Sequence, residues 1–278
     1  MNKGKRKAYG QHFLVDRKVL RKIVTAIHPC KQDLIIEIGA GKGALTFPLA
    51  KKAGKIIAVE KEKSFIPFLE RKKLPHLVIL REDVLKIDFR ELVEKEKHFF
   101  NNAKLVGNLP YSISSPLLFK LFDHRGLFSW CVFLLQKEVA ERIDAEPGTK
   151  KYAPLSILFQ IYFFTKTHFT VPPRSFSPPP QVDSALISLK KRSSPLFPVK
   201  NDQLFLNFLK GAFRHRRKML LNNLKMLHFP SSLVEEAFQK YQIESHLRPE
   251  QLSISKFVSL FNFFYPQSSG HSARKSDG

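Results

Sequence analysis

The chain has 278 residues, 43% of them hydrophobic, with 47 Lys and Arg against 24 Asp and Glu for a formal net charge of +23 and an isoelectric point near 10.0. That length and apolar content suffice for one large domain and a smaller one, and the cysteines Cys30 and Cys131, far apart and in no Cys-x-x-Cys spacing, exclude a disulfide framework or a zinc site. The cationic excess predicts a polyanionic partner bound with counterion release.

Basic residues crowd the N-terminus (Lys3, Lys5, Arg6, Lys7), but no continuous apolar run follows them and none long enough to span a membrane occurs later. A chain without an export signal, resident in a reducing cytoplasm, is expected. Val19, Leu20, Ile23, Val24 and Ile27 recur at helical spacing, closed by Pro29. Leu34–Ile38 then reads as a buried strand running into Gly39-Ala40-Gly41-Lys42-Gly43, with a helical stretch after it. Further strands are expected at 56–59, 77–80, 105–107 and 131–135, alternating with helices. This alternation predicts a parallel sheet covered on both faces, whose working residues lie at the carboxyl ends of its strands. Gly39, Glu60, Asp83 and Asn108 all occupy such ends. Two more strands, 161–169 and 185–190, joined by a proline-rich loop, suit an antiparallel edge pair. Beyond Arg192-Ser193-Ser194-Pro195 the pattern is helical, with stripes such as Leu204, Phe205, Phe208, Leu209 and Ala212, and with Ser253 placed to cap a last helix. The polar segment from Gln267 onward is expected to be disordered.

Asn108-Leu109-Pro110-Tyr111 carries the most specific chemistry. An exocyclic amine such as adenine N6 is a poor nucleophile because its lone pair is delocalised into the ring. The Asn108 carboxamide oxygen, together with a backbone carbonyl left unpaired where Pro110 interrupts regular structure, suits two acceptors for the N6 hydrogens that aim the lone pair at an electrophilic methyl. Tyr111 offers a face on which an extruded base stacks. Taken alone, the four residues are equally well a strand-to-loop turn.

The glycines after the first strand, with Glu60 some twenty residues on, fit either a dinucleotide fingerprint or an S-adenosylmethionine site. A dehydrogenase gives no reason for Asn-Leu-Pro-Tyr or for the charge; a methyltransferase acting on nucleic acid accounts for both. In that reading Glu60 accepts from the ribose hydroxyls, Asp83 from the adenine amine, and Gly39 and Gly41 make room for the methionine end. Phe176 is either a buried plug or a lid closing over the base opposite Tyr111. Arg214, Arg216, Arg217 and Lys218, expected on a helix, form either a solvated face or a phosphate grip. The histidines show no metal-ligand spacing, so no metal is expected.

Several segments resemble, in order, the motifs of the bacterial small-subunit ribosomal RNA adenine N6,N6-dimethyltransferases. They are Gly10-Gln11-His12-Phe13-Leu14-Val15-Asp16, Glu37 through Thr46, Gly107 through Ser114, Gln136 through Arg142 and Phe176 through Ser184. The resemblance spans nearly the whole chain. It implies an α/β, Rossmann-like class I S-adenosylmethionine-dependent methyltransferase domain over residues 1–193, including an N-terminal arm. A helical RNA-binding domain over 194–266 and a tail over 267–278 follow. It implies that His12 and Leu14 help close the cofactor site with Gly39, Glu60, Asp83 and Asn108. The implied substrate is a pair of adjacent adenosines in the 3′-terminal hairpin loop of 16S rRNA, dimethylated by a monomer within the precursor 30S subunit. Related enzymes that methylate 23S rRNA and confer macrolide resistance share the catalytic turn, usually with isoleucine where Leu109 stands; a ribosome-assembly factor whose binding outweighs its catalysis is a further alternative. Lys42 and Ala153-Pro154 depart from the usual motifs, the second on the RNA side.

Overall fold

The computed structural model describes residues 12–266, so the N-terminal lysine and arginine cluster and the expected tail at 267–278 lie outside the described residues. A seven-stranded sheet runs in the order β4-β3-β2-β5-β6-β9-β7. Strands β2 (Asp33–Ile38), β3 (Lys55–Val59), β4 (Leu77–Leu80), β5 (Asn102–Asn108) and β6 (Trp130–Gln136) are parallel. Then β9 (Ser184–Lys191) runs antiparallel to both β6 and β7 (Phe163–Val171). All six residues of β2 are buried, as expected of a central parallel strand. Ile35 and Ile36 are fully enclosed, and each such side chain contributes about 1.5–3 kcal/mol.

Helices α1 (Arg17–Ile27), α2 (Thr46–Ala50), α3 (Ile66–Glu70), α4 (Phe89–Glu94), α5 (Ser114–Asp123) and α6 (Lys137–Ile143) occupy the crossovers and flanks. Asp16 and Asp88 cap α1 and α4 by accepting from backbone amides one turn in. Ahead of α1, a two-residue strand β1 (Phe13–Leu14) pairs antiparallel with β8 (Phe176–Ser177). At the amino end of the sheet, Lys104 Nζ pairs with the fully buried Asp33 at 2.7 Å and donates to the Ile27 and His28 carbonyls.

The chain forms two units, residues through Asp144 with Tyr162–Ser194, and Ala145–Ile161 with the residues from Pro195 on. A single cut after residue 193 was expected; instead the segment around Tyr152 joins the second unit. There Tyr152 is fully enclosed, its ring 6.1 Å from Phe213. The residues before β7 also differ from the expected strand start at 161. Pro154–Tyr162 form a helix, α7, apolar on nearly every side and therefore hard to tell from a buried strand by periodicity. The second unit otherwise consists of α8 (Asp202–Ala212), α9 (Leu220–Lys225), α10 (Ser231–Lys240) and α11 (Ile254–Phe264). Its core is aromatic, with Phe205 5.0 Å from Phe261 and Phe213 stacked 5.4 Å from Phe257. Ser253 caps α11 as expected. No helix among the described residues is long and apolar enough to cross a membrane.

Candidate active site

The carboxyl ends of β2, β3, β4 and β5 converge on a crevice of about 250 Å³ bordered by His12, Gly39, Gly41, Glu60, Asp83 and Asn108. Leu109, Pro110 and Tyr111 complete its wall. A second chamber of about 220 Å³ shares Gly39, Gly41 and Asn108 with it and is otherwise largely apolar, with Leu14, Leu45 and Leu134 around the carboxyl of Glu37. The two spaces therefore meet at Asn108 and the glycine turn.

That turn has the backbone only glycine adopts freely: φ is +69° at Gly39 and +53° at Gly41. A Cβ on Gly41 would come within 3.1 Å of the Phe13 ring. The turn is fastened by Glu60, whose Oε2 accepts from the Gly41 amide at 2.7 Å while Oε1 accepts from the Glu62 amide at 2.8 Å. Burial raises the Glu60 pKa, with those amides pulling the other way. Asp83 is held charged instead. Lys61 Nζ donates to its Oδ2 at 2.8 Å and the Leu85 amide to its Oδ1 at 3.0 Å, and Lys61 is the main cause of its lowered pKa. The cradle thus offers room where a side chain would intrude, one acidic acceptor at β3 and another at β4, an arrangement that fits the amino-acid end of S-adenosylmethionine at the turn and the hydroxyl and amine donors of its nucleoside at the two acids. Beneath the turn, Glu37 is 2% exposed with Oε2 unpartnered. Burial pushes its pKa up to about 8.

At the end of β5, Asn108 Nδ2 donates to the His12 carbonyl at 2.9 Å. This fixes the carboxamide plane and leaves Oδ1 as an acceptor. The Pro110 carbonyl is already engaged by the Ile113 amide and the Ser114 hydroxyl, whereas no hydrogen bond among the described residues ends on the Leu109 carbonyl. Leu109 itself is buried, its amide donating to Leu134. Tyr111 is half-buried, its hydroxyl 2.8 Å from Ser184 Oγ and its ring 5.5 Å from that of His12.

Sequence periodicity gives no sign that His12 belongs here. The arm is drawn in by β1–β8 pairing, by the Val15 and Asp16 amides donating to the Ser175 carbonyl, and by His12 Nδ1 donating to the Pro178 carbonyl at 2.8 Å. The proline-rich loop is therefore the strap that seats the arm on Asn108. Leu14 and Phe176 are cross-strand partners in this strap and are buried, at 6% and 4% exposure. Phe176 belongs to the main apolar core and does not border the crevice.

The basic segment of the second unit is not helical. Residues 213–219 form a turn between α8 and α9, because Asn223, buried on α9, accepts from the His215 amide and donates to its carbonyl, each at 3.1 Å. Arg216 is spent on the Lys150 and Tyr152 carbonyls. Arg214, Arg217 and Lys218 are exposed. Asn223 was invisible as a structural residue in the sequence, where it reads as one of two polar residues in a helix.

Residues 2–265 match the family model described as ribosomal RNA adenine dimethylase. The chain is 41% identical over 256 residues to the ribosomal RNA small subunit methyltransferase A of Clostridium perfringens (strain SM101 / Type A), covering 91% of this chain and 88% of that protein. It is 40% identical over 264 residues to the protein of that name from Caldanaerobacter subterraneus, covering 94% and 97%. Among solved structures, a dimethyladenosine transferase from Plasmodium falciparum superposes with a TM-score of 0.77 at 28% identity, over 90% of this chain and 96% of the other. The 23S rRNA methyltransferase ErmE gives 0.70 at 21% identity over 90% and 98%, a likeness of fold.

Proposed function

Since the chain belongs to the ribosomal RNA adenine dimethylase family, we propose that the crevice at Asn108 methylates N6 of two adjacent adenosines in the 3′-terminal hairpin loop of 16S rRNA. The activity is that of an rRNA adenine dimethyltransferase using S-adenosylmethionine, which when bound supplies an electrophilic methyl on a sulfonium. The proposed partner is 16S rRNA in the precursor 30S subunit, met by a monomer in the cytoplasm.

The observation that carries this reading is the pairing at the end of β5. Asn108 Nδ2 is committed to the His12 carbonyl, which leaves Oδ1 and the unpartnered Leu109 carbonyl as two neighbouring acceptors beside the cofactor cradle. Two acceptors on the two N6 hydrogens pull the lone pair out of conjugation, and positioning supplies the rest of the barrier reduction. Tyr111, its hydroxyl tied to Ser184, holds the base by its face. Glu60 and Asp83 are the proposed acceptors for the ribose and the adenine amine, and Leu14 walls the far side of the cradle. Phe176 acts in this reading through the strap, as a positioning residue that seats the arm. Each transfer puts one methyl on N6 and sheds one N6 hydrogen as a proton to water, so one acceptor is released after the first transfer and the other after the second, when the dimethylated N6 has no hydrogen left to donate.

The test is to incubate the purified protein with labelled cofactor and undermethylated small or large subunits, then map the modified base. Label confined to large-subunit RNA overturns the substrate assignment. Asn108→Ala is expected to abolish transfer while cofactor binding by calorimetry persists; transfer at the wild-type rate refutes the mechanism.

A further inference from the structure

The first unit carries a second, larger depression whose chemistry differs from the crevice. It is a cleft of about 970 Å³, walled by the exposed side of α1, the start of α2 and the turn after it, and the end of α3. Arg17, Arg21, Lys51, Lys52, Arg71 and Lys72 surround it, all exposed, and Lys42 joins them from the glycine turn. Half of its fourteen lining residues are cationic and none is acidic. Among the described residues, none of the seven has an ion-pair partner. Elsewhere on the same unit lysines are neutralised by neighbours, as in Lys55–Glu96 and Lys95–Glu91. Here like charges stand together with nothing between them, an arrangement that costs the folded chain and is relieved by an anion.

The floor is apolar and partly aromatic. Leu20, Val24, Phe47 and Pro48 line it, and Lys72 Nζ sits 4.5 Å from the centre of the Phe47 ring. That ring lies so close over Gly43 that a Cβ there would come within 2.4 Å of it, so its position is set by the backbone. The cleft is far larger than an inorganic anion requires. Several cations spaced along an open trough over an apolar floor match a ribose-phosphate backbone, which presents one charge per nucleotide and a less polar sugar between charges.

The geometry points to this cleft as a second RNA-binding surface, gripping several backbone phosphates of the substrate from the methyltransferase unit itself, apart from the basic turn of the helical unit. The inference rests on the reading of the chain as an rRNA methyltransferase. Its grip is independent of base sequence, so it adds affinity and leaves the choice of adenosine to the crevice.

The test compares Arg21→Gln/Lys51→Gln/Lys52→Gln with Lys31→Gln/Arg90→Gln/Lys97→Gln, an equal charge loss outside the cleft. Affinity for undermethylated small subunits, and for a plain RNA duplex, is measured against salt concentration. Each phosphate that is no longer neutralised makes the slope of log K against log salt shallower by about 0.7–0.9, so the cleft variant should lose about two on both RNAs and show a raised KM with kcat retained. The control variant should keep a slope near wild type. Unfolding midpoints and cofactor binding, unchanged in both, confirm intact folding. Equal slope changes in the two variants, or none in the cleft variant, overturn the proposal even where small subunits are methylated normally. A cleft variant with its slope reduced on the duplex, in a protein that labels only large-subunit RNA, would leave the cleft standing and remove the substrate assignment.

Discussion

Glu37→Gln isolates the buried carboxyl beneath the glycine turn. Burial pushes this group from 4.5 to about 8, with the charge of Glu60 adding to the effect and the neighbouring Thr46 hydroxyl and amide pulling the other way without closing a bond to Oε2. A carboxyl whose folded pKa lies above its unfolded one makes a contribution fully present below about pH 4.5. That contribution falls by about 1.4 kcal/mol per pH unit through the window and is lost once pH passes about 8. A glutamine stays neutral throughout. Between about pH 5 and 8.5 the stability of wild type should therefore fall relative to Glu37→Gln by roughly 4 kcal/mol, since the roughly three pH units from 5 to 8 contribute about 1.4 kcal/mol each and little is added above 8. Any constant cost of the new amide cancels in that difference. Urea unfolding of both proteins at matched pH values measures it. Two stability-against-pH curves that run parallel would mean the carboxyl is already charged in the folded state, and the reasoning from burial would fail.

Other expectations concern more local features. Lys104→Met strands the carboxylate of Asp33, which is fully enclosed; loss of roughly 3–5 kcal/mol is expected, and adding Asp33→Asn should recover part of it in the same denaturation assay. Arg216→Gln should lower the melting temperature while leaving the salt slope of RNA binding unaltered, because its guanidinium is committed to the Lys150 and Tyr152 carbonyls. The triple variant Arg214→Gln/Arg217→Gln/Lys218→Gln should do the reverse, making the slope shallower by about two with little change in melting; a slope change in Arg216→Gln would reverse these roles. Asn223→Ala removes the clamp on the basic turn and should raise KM for RNA at constant cofactor affinity, measured side by side.

The parts of this molecule legible in the sequence are those whose cause is local. Period and burial pick out β2 through β6, and a glycine turn followed by acidic strand ends marks the crevice, because each signal lies within a few residues of its effect. What escaped was set by distant partners. His12 is seated by Pro178 and holds Asn108, pairings that nothing in the spacing around Gln11-His12 encodes. The basic residues after Phe213 continue an apolar stripe and so read as helix, yet Asn223 and Arg216 fold them into a turn by tying them to other segments. Phe176 has the same composition as a plug and as a lid. Only its pairing with Leu14 puts it in the core.

The strap that ties residues 12–16 to 172–178 also fixes when the site comes into being. As the chain leaves the ribosome, β2 through β6 have emerged by residue 136 and already contain every strand end that borders the crevice. The carboxamide of Asn108 has no fixed direction until the arm is seated, and the arm has no seat until Ser175, β8 and Pro178 follow. A nascent or truncated chain ending before residue 172 would thus hold the proposed cradle for the methyl donor without the aim for using it.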